Sequence, residues 1–395
     1  MQKKPKKIFT KKDKLRVRKS YYTFTREYPK YIEVEKTGRR ITVATLKTAA
    51  IRFVLFMLIA SVSFFCVKLA INISYAPITE ESETVQEISF NEKILSQGVK
   101  ALYIPHDKLG NEEYVKAFIK KLKKKSCNSV VIDFKTDEGR LCYTSMNETA
   151  IAASAAVYDN DTARWVIDAF SDEGIAVIAR IHCFSDNRAS AAVDNIAVKY
   201  MDTDVNWRDG SDENGGGSWL NPYSKATKTY IADVVKEVNK LGVGIFILED
   251  LQFPGGENTA SATYPGEKDA ANRNTVLKNT LAQVKRALPE NAIVILSQGA
   301  EDASEGNENI YCGTMSNADY YGLAVDTAQR PLGVAIDKKT DFVSVLSMYN
   351  SISGRFAGKT IIPIVPSEEY SYSYFRAMKK SGITSYIIYN ENGEY

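Results

Sequence analysis

Short apolar runs alternate with amphipathic stretches along most of this chain. Eight runs of six to nine residues are rich in Val, Ile, Leu and Tyr, and polar segments separate them. The strands of a parallel sheet are apolar throughout because helices cover both of its faces. The pattern therefore predicts eight parallel strands, at residues 98–105, 129–134, 175–182, 243–250, 292–298, 341–349, 360–367 and 384–390.

The segments between the predicted strands carry helix signals. Residues 111–125 place apolar side chains at helical spacing, with Asn111 as a capping residue, glutamates at the start and lysines at the end. Further helices are predicted around residues 162–172, from Pro222 to Gly242, around residues 277–288, and between the last two strands. Strands and helices thus alternate over residues 98–395.

This alternation predicts an α/β fold, a (β/α)8 TIM-like barrel over residues 98–395. Eight is the number of strands that closes such a barrel, which usually has about 250 residues. A doubly wound open sheet is the alternative. That fold usually binds nucleotides through a Gly-rich first turn, and the first turn here, HDKLGN, has no such motif. The sixth strand is the least defined, because residues 320–326 also resemble a strand.

A longer apolar segment precedes the predicted barrel. Residues 49–71 contain only two charges, Arg52 and Lys68, both close to the segment ends. About 20 apolar residues suffice for a helix to cross a membrane, so residues 48–71 are predicted to be one transmembrane helix. A buried core helix would normally have a polar face. A cleaved signal peptide is the other alternative, with Ser74 and Ala76 as the small residues of a cleavage site.

Charge differs sharply between the two sides of this segment. Residues 1–47 carry 16 Lys and Arg against four Asp and Glu, whereas residues 72–395 carry 33 against 44. Basic flanks stay in the cytoplasm. We therefore expect a single-pass protein of the cell membrane with a cytoplasmic tail, 1–47, lying on anionic lipid headgroups. A linker, 72–97, would carry the extracellular barrel, whose acidic balance argues against nucleic-acid binding.

Chemistry in a TIM barrel is located at the C-terminal ends of the strands. Charged and polar side chains stand at the ends of the predicted second to fifth strands: Asp133, Lys135, Arg180, His182, Glu249, Asp250 and Gln298. Side chains alternate along a strand. Asp133 and Lys135 are therefore expected to share one face, and only one of Glu249 and Asp250 is expected to face the barrel mouth.

Four segments resemble a family of bacterial glycoside hydrolase-like TIM-barrel domains. They are NSVVIDFKTDEGRLCY, IARIHCFSD, SWLNPYSKATKTYIADVVKEVNKLGVGIFILEDLQFP and SYIIYNENGEY. The most specific element is the W-x-N-P-Y motif from Trp219 to Tyr223, followed about 25 residues later by an acidic strand end and Phe-Pro. The resemblance implies a carbohydrate site at the barrel mouth. Counting back from Pro254, it places the carboxylate of the fourth strand on Glu249.

Glycoside hydrolysis normally uses two carboxylic groups. Glu249 is the first candidate, and the second stays open among Asp133, Asp250, Glu301 and Asp302. Flat aromatic rings with a polar tip suit the faces of sugars. The candidate substrate-binding residues are Lys135, Arg180, His182, Trp219, Tyr223, Gln298, Tyr349 and Asn390.

Two classes of function follow from these residues. The first is a membrane-anchored, extracytoplasmic glycoside hydrolase acting on cell-wall or exopolysaccharide glycan. The alternative is a non-catalytic glycan-binding or cell-envelope scaffold protein whose barrel has lost the chemistry, and a second carboxylate near Glu249 would discriminate between them. No cofactor or metal is expected, because the two histidines, His106 and His182, lack metal-ligand spacing. Cys127, Cys142, Cys183 and Cys312 are expected to be free thiols.

Overall fold

A computed structural model gives the architecture of the chain, which divides into two compact units, Met1–Val85 and Gln86–Tyr395. The structure describes these residues: 47, 50–52, 54, 55, 57–59, 61–63, 90–211, 216–255, 257–268, 272–305, 309, 332–335, 347, 349–352, 360–367 and 379–395.

Eight parallel strands form a closed barrel in the second unit. They are β1 (Lys100–Ile104), β2 (Ser129–Lys135), β3 (Ala176–His182), β4 (Ile245–Glu249), β5 (Ile293–Gly299), β6 (Leu332–Ala335), β7 (Ile361–Pro366) and β8 (Tyr386–Tyr389). Each strand pairs with the next along the chain, and β8 pairs with β1 to close the barrel. The α/β, TIM-like architecture predicted from the sequence is confirmed.

The sixth strand is not where the sequence pattern predicted it. It spans Leu332–Ala335, whereas the described residues 347 and 349–352, at the end of the predicted strand 341–349 and just beyond it, are helical. A short apolar run fits a buried strand and a buried helix equally well, so periodicity alone could not separate the two. The other strand candidate, residues 320–326, lies outside the described residues.

Helices fill the connections between the strands. They are α1 (Phe90–Gln97), α2 (Glu112–Lys124), α3 (Glu148–Ala152), α4 (Asn160–Ser171), α5 (Asn187–Ala192), α6 (Lys225–Lys240), α7 (Arg273–Ala287) and α8 (Ala300–Glu305). Asn111 caps α2 as predicted, since its side chain accepts a hydrogen bond from the backbone N–H of Tyr114. The helix predicted between the last two strands lies mostly outside the described residues.

Apolar side chains pack on both sides of the barrel wall. One cluster of buried residues lies within the barrel and includes Ala101, Val131, Ile178, Ile247 and Ile295. The strand residues between these positions belong to a larger cluster, which they form with the buried faces of the helices. This division follows from the alternation of side chains along each strand. The barrel interior is therefore a packed core, and its C-terminal end is left for a site.

Helix α1 belongs to the barrel and not to the linker. Its Ile94 is 3% exposed and joins the interior cluster with Val99 and Ile245, which lie at the N-terminal ends of strands. The side chain of Asn91 fills the space beside Gly244, immediately before β4. Residues 90–97 were predicted as the end of a linker, yet their apolar face is buried. They cover the end of the barrel opposite to the strand C termini.

The first unit is described only in part. Its described positions from residue 47 to residue 63 are helical and exposed. Within the described part of the chain, no helix is both long and apolar enough to cross a membrane. The predicted segment 49–71 falls partly outside the described residues, and residues 1–46 and 72–89 fall wholly outside them.

Candidate active site

A cleft of about 920 Å³ opens at the C-terminal ends of the strands. Six of the residues singled out from the sequence line it: Asp133, Arg180, His182, Trp219, Glu249 and Asp250. They come from β2, from β3 and the loop after it, and from the end of β4. Parallel strands deliver these side chains to one end of the barrel, which explains why residues distant in sequence meet here.

Asp133 and Arg180 form the floor of the cleft. They are register partners on β2 and β3, and Arg180 approaches Asp133 with Nε and Nη2 of its guanidinium. Nη2 donates to Oδ2 over 2.8 Å, Nε contacts Oδ1, and the hydroxyl of Tyr103 donates to Oδ2 over 2.9 Å. Burial alone would raise the pKa of Asp133, but the Arg180 charge outweighs burial and lowers it. Asp133 is therefore an ionised, fully partnered carboxylate.

Two neighbouring tyrosine rings contact the guanidinium of Arg180. Its central carbon lies 5.0 Å from the ring centre of Tyr103 and 4.7 Å from that of Tyr389. The two ring centres are 4.6 Å apart. Such cation–π contacts strengthen when water is excluded. Sequence reasoning missed both tyrosines, although each lies at the end of its strand, where the C-terminal rule would have placed it in the site.

His182 and Asp250 form a second pair in the cleft. Nδ1 of His182 lies 2.6 Å from Oδ2 of Asp250, and the two side chains are 12% and 22% exposed. Burial opposes the charged imidazole, but the neighbouring Asp250 carboxylate outweighs burial and raises the pKa of His182. Asp250 thus favours the protonated form of the His182 imidazole.

Glu249 and Asp250 both line the cleft, which corrects the expectation that only one of them would. Alternation holds only within a strand, and β4 ends at Glu249. Asp250 then adopts a left-handed backbone with φ of 53°, a conformation that is uncommon for residues other than glycine. The chain therefore turns sharply after β4, and two consecutive carboxylates reach the same space.

The two carboxylates at the end of β4 occupy different environments. Burial, and then the charge of Asp250, raise the pKa of Glu249. Arg180, His182 and Ser297 act in the opposite direction without cancelling that effect. A carboxyl group with a raised pKa keeps its proton to higher pH, as a general acid must.

Lys135 does not reach the cleft, although alternation placed it beside Asp133. The pairing register shifts between these two residues, and the Lys135 side chain is wholly buried. Its Nζ lies 2.9 Å from Oδ2 of Asp186 and donates to the carbonyls of His182 and Ser185 over 2.7 and 3.2 Å. Lys135 therefore fixes the loop that follows β3, and the sequence-based assignment to substrate binding is corrected.

Trp219 is held at the cleft wall by a residue that the sequence did not single out for this role. Its indole N–H donates to Oδ2 of Asp209 over 2.8 Å, and Asp209 also accepts from the backbone N–H of Gly217. Both side chains line the cleft, but only 7% of Trp219 is exposed. The hydrogen bond to Asp209 thus fixes the indole in the cleft wall.

Four other candidate binding residues lie outside the cleft lining. Tyr223 contacts the ring of Phe253, and its hydroxyl donates to Glu267 over 3.3 Å. Gln298 is 3% exposed on β5. Tyr349 is helical and packs beside Val365 and Ile383.

The fourth, Asn390, stabilises the turn after β8. Its side chain donates to Ser367 and accepts from the backbone of Asn392. Asp302, a candidate second carboxylate, lies on α8 outside the cleft lining, and the Glu301 side chain is outside the described residues. In the described part of the chain, no group of three His, Cys, Asp or Glu side chains could hold a metal ion. Cys127, Cys142 and Cys183 are buried and free, whereas Cys312 is not among the described residues.

The closed parallel barrel defines a TIM-like α/β protein with a carboxylate-lined cleft at the strand C termini. A family model described as "Putative glycosyl hydrolase domain" matches residues 101–298, half of the chain. The chain belongs to this family, and the resemblance inferred from its motifs is confirmed. The matched region includes every residue of the two ion pairs and both carboxylates at the end of β4.

Solved structures also resemble the chain. A hypothetical protein from Ruminiclostridium thermocellum ATCC 27405 is 25% identical, with 49% of this chain and 96% of that one covered and a TM-score of 0.42. Alpha-L-fucosidase isoenzyme 2 from Paenibacillus thiaminolyticus is 13% identical, with 75% and 47% covered and a TM-score of 0.48. The exo-β-N-acetylglucosaminidase of Vibrio harveyi is 12% identical, with 68% and 41% covered and a TM-score of 0.43. The chain thus spans less than half the length of these two glycosidases. A search of curated proteins found no match.

Proposed function

We propose that the barrel is a glycoside hydrolase in which Glu249 is the general acid and Asp250 the second carboxylate. One observation carries the proposal: the turn after β4 brings both carboxylates into one cleft, where burial raises the pKa of Glu249. Glycosidases need one carboxyl group that donates a proton to the leaving oxygen and one that is ionised. His182 Nδ1 lies 2.6 Å from Asp250 Oδ2 and positions that carboxylate in the cleft.

Asp133 is assigned a positioning role, although the sequence made it a catalytic candidate. Arg180 engages both of its oxygens, and Tyr103 donates to one of them. A carboxylate with these three hydrogen bonds is a poor nucleophile or base, because attack would break them. Its contribution is to hold Arg180 against the rings of Tyr103 and Tyr389 at the cleft floor.

The Glu249→Gln variant of the full chain tests the proposal. The change preserves shape and removes the acid, so turnover of a cleaved glycan should fall on the order of a thousandfold or more while glycan binding persists. Asp250→Asn should also lose turnover. Glu113→Gln, at an exposed position of α2, is the matched control and should keep full turnover.

The measurement is the release of reducing ends from a panel of polysaccharides, together with binding to the same panel. Full turnover by both cleft variants would contradict the assignment. Binding by the unmutated chain without any release would instead establish the alternative, a non-catalytic glycan-binding or cell-envelope scaffold protein. The contact between His182 and Asp250 favours this alternative, because it engages a carboxylate that hydrolysis would need.

The same proposal includes the location of the barrel. The apolar segment 49–71 would anchor the chain in the cell membrane, with the basic tail on the cytoplasmic side and the barrel facing cell-wall or exopolysaccharide glycan. Protease added to intact cells should then remove the barrel and spare the tail. Protection of the barrel under conditions that digest a known surface protein would contradict this orientation.

A further inference from the structure

The cleft is rich in carboxylates. Among the residues that the structure describes, seven acidic side chains line it: Asp107, Asp133, Asp137, Asp209, Glu249, Asp250 and Glu391. The basic side chains in the same lining are one guanidinium, Arg180, and two imidazoles, His106 and His182. No lysine of the described chain lines the cleft, because Lys135 turns away towards Asp186.

The strongest cations in the cleft are already engaged. Nε and Nη2 of Arg180 contact Asp133, and the rings of Tyr103 and Tyr389 pack against the same guanidinium. His182 faces Asp250. Proteins recognise sugar carboxylates, sulfates and phosphates through free Arg forks or Lys ammonium groups. Within the described lining, Arg180 already turns Nε and Nη2 towards Asp133, and the remaining basic side chain is the imidazole of His106.

Three further carboxylates lie on one side of the cleft. Asp137 follows β2, Asp209 lies in the long loop after β3, and Glu391 follows β8. The barrel order β8-β1-β2-β3 makes these loops neighbours. Asp137 and Glu391 are exposed, and none of the three is in an ion pair within the described part of the chain. We call Asp137, Asp209 and Glu391 the acidic rim.

We propose that this cleft takes neutral or amino-bearing glycans and excludes glycans that carry acidic groups. The inference rests on the proposed function and narrows its substrate class. An acidic sugar would enter against the charge of the acidic rim, and the described lining offers it no ammonium group and no guanidinium outside the pair with Asp133. Repulsion between like charges would then select against acidic sugars. An amino sugar would gain from the same charges, and this gain should weaken as salt screens them.

The test is binding by the full chain carrying Glu249→Gln, so that bound glycans stay intact. The probes are matched α-linked and β-linked oligosaccharides of glucose, glucosamine and glucuronic acid. In any linkage series that binds, we expect the affinity for the glucuronic acid member to be lower than that for the glucose member by a factor of about ten or more. Binding of the glucosamine member should fall as the salt concentration rises.

Two double variants in the same background locate the cause. Asp137→Asn with Glu391→Gln removes two charges from the acidic rim. It should reduce the affinity gap, which is the ratio of the affinity for glucose to that for glucuronic acid oligosaccharides, at least threefold. Glu138→Gln with Glu394→Gln removes two charges at exposed positions that do not line the cleft, and it should leave that gap unchanged. An equal narrowing in both double variants would contradict a role for the rim.

The outcomes separate the two proposals. Equal or tighter binding of the glucuronic acid member would overturn this inference and leave the glycoside hydrolase intact. If no series binds and the unmutated chain cleaves no polysaccharide of the panel, the proposed function itself is wrong and the inference falls with it.

Discussion

His182 Nδ1 and Asp250 Oδ2 lie 2.6 Å apart, so that the end of β3 is joined to the residue that follows β4. The contact depends on the left-handed backbone of Asp250, because an extended residue after Glu249 would point away from the cleft. The first residue after β3 adds a second connection, since the backbone N–H of Cys183 donates to the carbonyl of Glu249 over 2.8 Å. The end of β3 therefore contacts both residues at the end of β4, the side chain of Asp250 and the backbone of Glu249.

The His182–Asp250 pair predicts a raised histidine pKa that Asp250 controls. The imidazole of His182 should titrate above the usual 6.5, and Asp250→Asn should lower its pKa, because burial would then act without the neighbouring charge. Since the chain has only two histidines, nitrogen NMR of labelled imidazoles resolves the change, with His106→Gln for assignment. An unchanged His182 titration in Asp250→Asn would contradict the pairing.

The same pair makes folding stability depend on pH. A pKa raised in the folded state contributes stability that is fully present below the unfolded pKa and is lost as pH rises through the folded pKa. The unfolding free energy of the unmutated chain, relative to His182→Gln, should therefore be largest below about pH 6 and shrink at higher pH. Denaturant unfolding of both proteins at pH values below and above about 6 measures this difference in unfolding free energy. A difference that grows as pH rises would contradict the prediction.

The Arg180–Asp133 pair predicts a large loss of stability when one partner is removed. Arg180→Met leaves the Asp133 carboxylate nearly buried, with only the Tyr103 hydroxyl as a hydrogen-bond donor, which should cost about 3–5 kcal/mol of unfolding free energy. Adding Asp133→Asn removes the orphaned charge and should restore a substantial part of that loss. Urea unfolding of the three variants checks this, and equal stability of the single and double variants would contradict it.

The buried Lys135–Asp186 pair should affect catalysis without touching the substrate, because Lys135 positions the backbone at His182 and Ser185. Lys135→Met should destabilise the fold by about 3–5 kcal/mol, because Asp186 stays buried without its cation. With Asp186→Leu added, stability should largely return, but the carbonyls of His182 and Ser185 still lack their donor. We therefore expect the double variant to fold, to bind glycan nearly as well and to have a lower kcat. A normal kcat would make Lys135 purely structural.

The sequence predicted the strands well because their signal is local. Seven of the eight predicted runs cover the observed barrel strands to within one residue, and Asn111 caps its helix as expected. Apolar composition and capping depend on neighbouring residues, which a single chain shows directly. The prediction of the sixth strand was wrong because the observed strand has only four residues, too few to give a recognisable apolar pattern.

The site was predicted in location but not in detail. The C-terminal rule correctly brought Asp133, Arg180 and His182 together, since it needs only the strand ends. It could not place Lys135 or Asp250. The pairing register shifts just before Lys135, and Asp250 itself has a left-handed backbone. Both are backbone irregularities that follow from tertiary contacts, such as the buried Lys135–Asp186 pair, and strand alternation cannot anticipate them.

Helix α1 predicts where the folded domain must begin. Ile94 is buried among residues at the N-terminal ends of the strands, so Ile94→Asp would place a charge in the barrel core. A chain of residues 86–395 should unfold cooperatively, whereas one of residues 98–395 should lose several degrees of melting temperature or fail to fold. Ser96→Asp, at an exposed position of the same helix, is the control and should change little. Calorimetry of the four proteins measures these effects. If residues 98–395 kept the stability of residues 86–395, α1 would be part of the linker after all.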